Sequence, residues 1–252
     1  MPADLVLVTG GAGYVGSHLV RKLLERGFRV RVLEKFLYGD QGLREVDGLP
    51  GLEVRTGDIC SPRDMQAAVK DARAVIALAA IVGDPACALD EDETMRSNFE
   101  STKVLLDAAR QGGVQRLVFA SSCSVYGANG SELLDENAWL NPVSLYARTR
   151  IMSEELLVRD RGDVETIILR LSTVCGWSPR MRFDLMVNTI TARAVVDGKI
   201  KIVGPSQWRP HIHVQDVAEA FLCAAVDADP VHARGSIYNV GGESQNFTVG
   251  EV

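Results

Sequence analysis

Short apolar runs alternate with longer amphipathic stretches through the first two thirds of the chain. The apolar runs are Leu5–Val8, Arg29–Leu33, Leu52–Val54, Ala74–Ala80, Arg116–Ala120 and Glu165–Arg170. Helical patterns lie between them at Pro62–Val69, Met95–Gln111 and Val143–Arg159. Because strands that alternate with helices form parallel sheets, the pattern predicts an α/β fold with a doubly wound parallel sheet of about seven strands.

The first apolar run leads into three glycines, Gly10, Gly13 and Gly16, and an amphipathic helix follows them. In this arrangement the first glycine permits a tight turn and the second lets backbone N–H groups approach a pyrophosphate. The third glycine lets the helix pack closely on the strand, and the helix N-terminus adds partial positive charge. The loop is therefore predicted to hold the phosphates of a dinucleotide.

An acidic residue, Glu34, ends the second apolar run. It lies roughly 20 residues beyond the glycines, where an acidic side chain meets the adenosine ribose of a bound dinucleotide. A carboxylate there accepts hydrogen bonds from the ribose hydroxyls and repels a 2′-phosphate, which favours NAD over NADP. The neighbouring cations Lys35 and Arg31 weaken this preference slightly.

The regular alternation fades beyond Thr173. The later patterns predict helices at 184–197 and 215–227 and short strands at 200–203 and 237–240. Residues 248–252 have the pattern of a helix start that is cut short. We therefore expect a nucleotide-binding domain over residues 1–172, with helix 215–227 packing back on it. A smaller substrate lobe, truncated at its C-terminal end, is expected over residues 173–252.

Composition limits the classes of function. The chain has 252 residues, of which 46% are hydrophobic, and a formal net charge of -6 with scattered Lys and Arg. This distribution argues against nucleic-acid or membrane-surface binding, which needs a concentrated basic face. Since the sequence shows neither an export signal nor an apolar run of about 18 residues, we expect a cytoplasmic protein.

The metal-binding residue types do not cluster in the sequence. The five cysteines are odd in number and widely spaced, which predicts neither a zinc site nor a disulfide framework. His211 and His213 alternate with apolar neighbours on a short predicted strand and lack nearby acidic ligands. We therefore expect no metal site.

Several motifs occur together and in one order along the chain. They are the glycine loop, Asp58, Ser122–Gly127, Tyr146 on a helix, and Trp208–Ala218. Together they resemble the extended short-chain dehydrogenase/reductase family, and more narrowly its NAD-dependent nucleotide-sugar epimerases and dehydratases. The resemblance covers essentially the whole chain and implies a Rossmann-type fold, NAD as cofactor and a nucleotide-diphosphate sugar as substrate. It also implies a homodimer formed by the helices near 95–110 and 143–159.

The resemblance implies catalytic roles for Tyr146, Ser122 and Arg150. In that family the tyrosine is the acid/base, the serine hydrogen-bonds the reacting hydroxyl, and a lysine four residues after the tyrosine holds the nicotinamide ribose. Arg150 stands in place of that lysine. The positive charge therefore stays on the helix face that carries Tyr146, but a planar guanidinium replaces a compact ammonium. In the alternative interpretation, Tyr146 only covers a core, Ser122 is a turn residue, and Arg150 pairs with Glu154.

The other site residues are implied by position in the family. Cofactor contacts are implied at Gly10, Gly13, Tyr14, Val15, Gly16, Glu34, Lys35, Asp58, Ile59, Leu78, Ala79, Ala80, Asn98, Ser121, Tyr146, Arg150 and Leu171. Substrate contacts are implied at Val82, Ser122, Cys123, Ser124, Thr173, Asp184, Leu185, Lys201, Val203 and Arg209. Within the second set, a guanidinium such as Arg209 binds a diphosphate well, and Asp184 is predicted as the N-cap of the following helix.

The same positions rank the possible reactions. Dehydratases of the family carry an Asp–Glu pair where this chain has Cys123 and Ser124, so dehydration is disfavoured and Cys123 is interpreted as structural. Thr173 and Ala77 replace an asparagine and a histidine of related galactose epimerases, which leaves the sugar open. Epimerisation at C4 through a transient 4-keto sugar is the leading hypothesis. The alternatives are a 4-ketoreductase or dehydratase, or a protein that binds NAD and nucleotide sugar with catalysis impaired by Arg150.

Overall fold

The strands of the protein follow the predicted apolar runs closely. The computed structural model describes residues 4–128 and 132–252, so residues 1–3 and 129–131 of the predicted domain 1–172 lie outside the described part. The strands are β1 Leu5–Thr9, β2 Arg29–Glu34, β3 Leu52–Thr56, β4 Ala74–Ala77, β5 Arg116–Ser122, β6 Glu165–Leu171, β7 Thr173–Cys175, β8 Trp208–His213, β9 Ser236–Val240 and β10 Asn246–Thr248.

The helices occupy most of the predicted amphipathic stretches. They are α1 Gly16–Glu25, α2 Pro62–Val69, α3 Asp84–Cys87, α4 Glu91–Met95, α5 Ser101–Gln111, α6 Leu145–Arg159, α7 Met186–Asp197 and α8 Val214–Leu222. The predicted helix Met95–Gln111 begins earlier, at Glu91, and contains a π-helical turn, Arg96–Glu100, that joins α4 to α5 without a gap. A second π-helical turn, Cys223–Asp227, extends α8 to the predicted end of that helix.

The main sheet has seven strands in the order β3-β2-β1-β4-β5-β6-β9, and every neighbouring pair is parallel. The predicted Rossmann-type sheet of about seven strands is confirmed. The chain runs outward from β1 to β3 and then returns to build the other half from β4. This reversal places a crevice between the carboxyl ends of β1 and β4, which is where ligands bind in such sheets.

Alternate residues of the central strands enter two different cores. On one face, Val6 and Val8 pack with α1 and α8. On the other face, Leu5 and Leu7 pack with α2, α5 and α6. Burial on both faces explains why these strands read as continuous apolar runs rather than as alternating ones.

The C-terminal third divides its elements between two sheets. A small sheet has the order β10-β8-β7, whereas β9 joins the edge of the main sheet beside β6. Helix α8 packs against α1, and two ion pairs, Lys22–Glu219 and Arg26–Asp227, connect α1 with α8 and the turn that follows it. Among the residues described, no helix is long and apolar enough to cross a membrane.

Three predictions about this region are wrong. The predicted strand Ile200–Val203 is irregular and exposed, because no neighbouring strand pairs with it. The residues 248–252 do not start a helix, because Asn246–Thr248 pairs antiparallel with β8 and a turn follows. Asp184 is not a helix cap, because its carboxylate pairs with Arg182 and α7 begins only at Met186.

Candidate active site

The glycine-rich turn has the shape that a dinucleotide requires. Gly10 has a φ of +76°, and a Cβ there would lie 2.8 Å from the backbone nitrogen of Ala79. A Cβ on Gly16 would lie 2.3 Å from the Gly10 carbonyl oxygen, so the fold itself requires both glycines. A Cβ on Gly13 would meet only that carbonyl oxygen, at 3.0 Å, and otherwise face open space. The N-cap residue of α1, Val15, has a side chain that cannot cap the helix, which leaves the positive end of α1 for a phosphate.

Replacing Gly13 with alanine is expected to weaken NAD binding at least about tenfold, equivalent to about 1.4 kcal/mol. The new methyl group would project into the space beside the turn, and its one close contact, the Gly10 carbonyl oxygen at 3.0 Å, would need to shift by only a few tenths of an ångström. Calorimetric titration with NAD and the thermal midpoint together test this. Gly16→Ala is the contrasting variant, because its clash should lower the thermal midpoint as well. Unchanged NAD affinity in Gly13→Ala would contradict the assigned phosphate cradle.

Glu34 lies beside the turn, as predicted for a residue that meets the adenosine ribose. One carboxylate oxygen accepts from the Ala12 backbone nitrogen at 3.1 Å, and the other accepts from the nitrogens of Lys35 and Phe36 at 3.0 and 3.3 Å. These bonds fix the carboxylate while leaving it half-exposed. The group therefore fits a ribose diol.

The cations near Glu34 are less available than the sequence suggested. Lys35 donates to Asp58 at 3.0 Å. Burial alone would raise the pKa of Asp58, but hydrogen bonds from the Cys60 nitrogen and from Lys35 hold it below its usual value. Arg31 points away from the site, because it is bonded to Glu53 and to carbonyls of the α2 region. Both cations are thus engaged by other groups and less able to attract a 2′-phosphate, which strengthens the prediction of NAD over NADP.

Asn98 acts on the site through the backbone that follows β4. Its amide oxygen accepts from the Ile81 nitrogen and its amide nitrogen donates to the Ile81 oxygen, both at 2.8 Å. The predicted cofactor residues Leu78, Ala79 and Ala80 lie on the segment that these bonds anchor. The side chain of Asn98 therefore holds this segment in place, and its role as a cofactor contact stays a prediction.

Ser122 and Tyr146 come from elements that pack together. Ser122 is the last residue of β5, and its hydroxyl oxygen accepts from the Ser124 nitrogen at 3.2 Å, which leaves its proton free to be donated. Tyr146 lies in the first turn of α6, which Ser144 caps, and α6 packs on β5 and on the 3-10 turn after it. Both side chains are half-buried. The local bond of Ser122 agrees with a turn role and is also compatible with a role in catalysis.

The Arg150 guanidinium lies beneath the ring of Tyr146, 5.2 Å from its centroid, and 5.1 Å from that of Phe119. The residue is only 3% exposed. Its terminal nitrogens donate to the carbonyls of Ala120 and Asn98 at 3.2 and 3.1 Å, while Nε has no partner among the described residues. Burial lowers the pKa of Arg150. The charge thus lies beside the Tyr146 ring as the sequence predicts, and two main-chain carbonyls hold the guanidinium there.

A buried ion pair that the sequence analysis missed lies behind Ser122. Glu154 pairs with Arg170 at 2.7 Å rather than with Arg150, and each side chain is 3% exposed. Ser121 donates its hydroxyl proton to the same carboxylate. Arg170 also donates to the Tyr126 hydroxyl at 2.9 Å. An arginine inside the apolar run of β6 is the sequence signal that could have revealed this network.

Some of the predicted substrate residues lie near one another in the structure. A Cβ on Gly83, next to Val82, would lie 3.4 Å from a carboxylate oxygen of Asp184, which precedes Leu185. Burial raises the pKa of the Cys123 thiol to about 11, although the positive charge of Arg209 opposes this shift. Cys123 is therefore a neutral thiol at physiological pH, consistent with a structural role.

The other predicted substrate residues are more dispersed. Thr173 begins β7 and pairs with His211, whereas the Ser124 hydroxyl is buried without a partner among the described residues. Lys201 and Val203 lie in the irregular exposed segment that replaces the predicted strand. In the described ranges, no group of three or more His, Cys, Asp or Glu is arranged to hold a metal ion.

Known proteins resemble the chain in sequence. A family model described as "NAD dependent epimerase/dehydratase family" matches residues 6–241. D-erythronate dehydrogenase from Cupriavidus necator is 36% identical over 185 residues, covering 67% of this chain and 55% of the relative. UDP-glucose 4-epimerase from Azospirillum brasilense is 29% identical over 240 residues, covering 87% of this chain and 67% of the relative. The chain thus spans between about half and two thirds of the length of these curated relatives.

Solved structures resemble it over nearly its whole length. MoeE5 in complex with UDP-glucose and NAD superimposes with a TM-score of 0.82 at 32% identity, covering 99% of this chain and 79% of that one. The match of the family model to residues 6–241, on a fold whose first crossover is shaped for a dinucleotide, shows that the chain belongs to the NAD dependent epimerase/dehydratase family.

Proposed function

We propose that the protein is an NAD-dependent nucleotide-sugar epimerase that acts at C4 of the sugar. The observation that carries the proposal is the position of Tyr146, half-buried at the start of α6, with the Arg150 guanidinium beneath its ring. The cation against the ring face holds the ring in place, and a positioned phenol is a group that can exchange a proton with a sugar hydroxyl. The UDP-glucose in MoeE5 and the activity of the Azospirillum brasilense relative support a nucleotide sugar as substrate.

Each side chain has one task in this reaction. Tyr146 takes the proton of the 4-hydroxyl and Ser122 donates a hydrogen bond to the same oxygen. NAD supplies the chemistry that the side chains lack, because it accepts the C4 hydride and returns it to the opposite face of the 4-keto sugar. Tyr146 then gives its proton back to the new hydroxyl. The proposal places Glu34 on the adenosine ribose and Arg209 on the substrate diphosphate.

The direct test of the proposal is a turnover assay without added reductant. The purified protein is incubated with UDP-glucose, UDP-galactose or UDP-N-acetylglucosamine, and the sugars are separated by chromatography. Interconversion of a pair of C4 epimers without added NADH supports the proposal. Conversion of a 4-keto sugar that consumes NADH one for one would show a reductase instead, and no conversion of any tested sugar would refute the epimerase.

Two other functions keep specific support. A dehydrogenase or 4-ketoreductase uses the same serine and tyrosine, and the D-erythronate dehydrogenase of Cupriavidus necator is 36% identical over its matched part. A protein that binds NAD and nucleotide sugar without turnover is favoured by the inward position of Arg150, whose terminal nitrogens are held by main-chain carbonyls. The homodimer built on α5 and α6 also remains a proposal.

Replacing Arg150 with lysine is expected to raise turnover by up to about 10²-fold, the range that a misplacement of about 1 Å in an active site can cost. Unlike the planar guanidinium, the ammonium of a lysine cannot donate to both buried carbonyls at once. It is therefore freer to hydrogen-bond the nicotinamide ribose. Initial rates with a UDP-sugar measure the effect. The matched control is Arg148→Lys, an exposed arginine on the same helix. A lysine variant slower than the natural protein would show that the arginine is adapted to this site.

A further inference from the structure

The side chain of Tyr14 leaves the glycine-rich turn and enters the C-terminal lobe. Its hydroxyl donates to the Gly176 oxygen at 2.6 Å and accepts from the Asn188 side-chain nitrogen at 3.1 Å. The Asn188 side-chain oxygen accepts from the Gly176 nitrogen at 3.0 Å, which closes a ring of three hydrogen bonds. The partners are 162 and 174 residues from Tyr14 in sequence. The turn and the lobe are therefore bonded directly.

Neighbouring residues of α1 reinforce this connection. The hydroxyls of Ser17 and Ser178 lie 3.0 Å apart, and Ser178 also donates to the Tyr14 carbonyl at 2.8 Å. One ring nitrogen of His18 lies 3.0 Å from the Trp177 carbonyl oxygen. Burial lowers the pKa of His18, so its ring is neutral at physiological pH. Every residue from Gly176 to Ser178 thus contacts the start of the first helix or the turn before it.

The attachment of α7 depends strongly on Asn188. Within the described residues of this helix, Asn188 is the buried one, whereas Val195 and Val196 near its end are 80% and 81% exposed. Tyr14 and Asn188 are only 5% and 6% exposed, so loss of the hydrogen bond between them would leave one N–H of the buried Asn188 amide without its partner. The amide nitrogen also donates to the Arg182 carbonyl at 3.0 Å, which ties the segment before α7 to the same side chain. The segment just before α7 carries Asp184 and Leu185, two of the predicted substrate residues.

We propose that Tyr14 and Asn188 are positioning residues that make the placement of α7 depend on the dinucleotide. Phosphates held by the glycine turn restrict the Tyr14 backbone, and this restriction passes through the Tyr14 hydroxyl to Asn188 and α7. When α7 is already ordered, binding of the substrate's nucleotide requires a smaller loss of conformational entropy. Binding of the two ligands is then linked, and the linkage is reciprocal.

Amide hydrogen exchange tests the proposal with NAD as the probe. In the natural protein, NAD should slow exchange at residues 176–197 as well as at residues 10–20. In Tyr14→Phe and in Asn188→Ala, the protection of 10–20 should remain and that of 176–197 should be lost. The control is Tyr238→Phe, which removes a hydroxyl that donates to the His232 carbonyl on the edge strand β9. The proposal is overturned if NAD leaves 176–197 unchanged in the natural protein, or if both variants keep the protection.

Calorimetric titration with UDP, with and without saturating NAD, provides a second readout. NAD should tighten UDP binding by at least about fivefold in the natural protein, the lower end of typical coupling between sites, and the ratio should fall toward one in Tyr14→Phe. Equal ratios in the two proteins would overturn the link to the substrate. The exchange experiment needs no nucleotide sugar, so its result is decisive even if the epimerase assay fails and UDP does not bind.

Discussion

Replacing Tyr146 with phenylalanine should lower the turnover of a UDP-sugar by about 10²- to 10⁴-fold, the usual contribution of a positioned acid/base. Among the described residues none hydrogen-bonds the Tyr146 hydroxyl, and the ring keeps its place above Arg150 in the variant. The loss of one oxygen therefore removes the proton acceptor while the packing stays. The measurement is kcat in the epimerisation assay, alongside NAD affinity by calorimetric titration.

Two further results make this test specific. Tyr238→Phe should retain full turnover, because its hydroxyl lies on the edge strand β9 and donates to the nearby His232 carbonyl. NAD affinity of Tyr146→Phe should stay close to that of the natural protein, since the phosphates and the adenosine ribose are bound elsewhere. A phenylalanine variant that epimerises at the natural rate would remove Tyr146 from the mechanism.

Replacing Glu154 with glutamine should destabilise the protein by about 3–5 kcal/mol, the usual cost of breaking a buried ion pair from one side. The carboxylate accepts from Arg170 at 2.7, 3.1 and 3.2 Å, and both residues are 3% exposed. The amide nitrogen of glutamine would face the guanidinium as a second donor, so the Arg170 charge would remain buried without compensation. Urea unfolding measures the free-energy difference.

The exposed pair Asp40–Arg44 is the matched control for this loss. Its side chains are 64% and 69% exposed, so Asp40→Asn should change stability by no more than about 1 kcal/mol. The Glu154 variant should also lose turnover, because the Ser121 hydroxyl donates to this carboxylate beside Ser122. A glutamine variant as stable as the control would mean that Arg170 finds other partners in the folded protein.

Several elements that the sequence predicted correctly are strands whose environment is set by burial. The runs that became β1, β2, β5 and β6 are buried on both faces, so their apolar character identified them. The run Ile200–Val203 has similar composition but lies exposed, because a strand needs a neighbour to pair with and composition does not reveal one. The same limit applies to 248–252, where pairing with β8 determined the conformation.

Within the site, the spacing of residues on one helix predicted a contact between them, whereas contacts between residues far apart in the sequence were not predicted. The four-residue spacing of Tyr146 and Arg150 predicted a cation beneath the ring, and the structure places it there. The alternative pairing of Arg150 with Glu154 followed the same spacing and is wrong, because the Glu154 carboxylate pairs with Arg170 on β6 instead. The bond between Tyr14 and Asn188 joins residues 174 positions apart, and neither residue type signals such a partner.

The place of β9 in the main sheet bears on how the polypeptide folds during synthesis. A ribosome releases β1 to β6 long before Ser236–Val240 exists, and also before Phe221 and Leu222 can cover their share of the first core. The nascent chain therefore presents an uncovered apolar face and an open strand edge for the time needed to translate about 70 further residues, conditions that promote aggregation. The last strand of the main sheet therefore sets the moment at which the N-terminal half is protected.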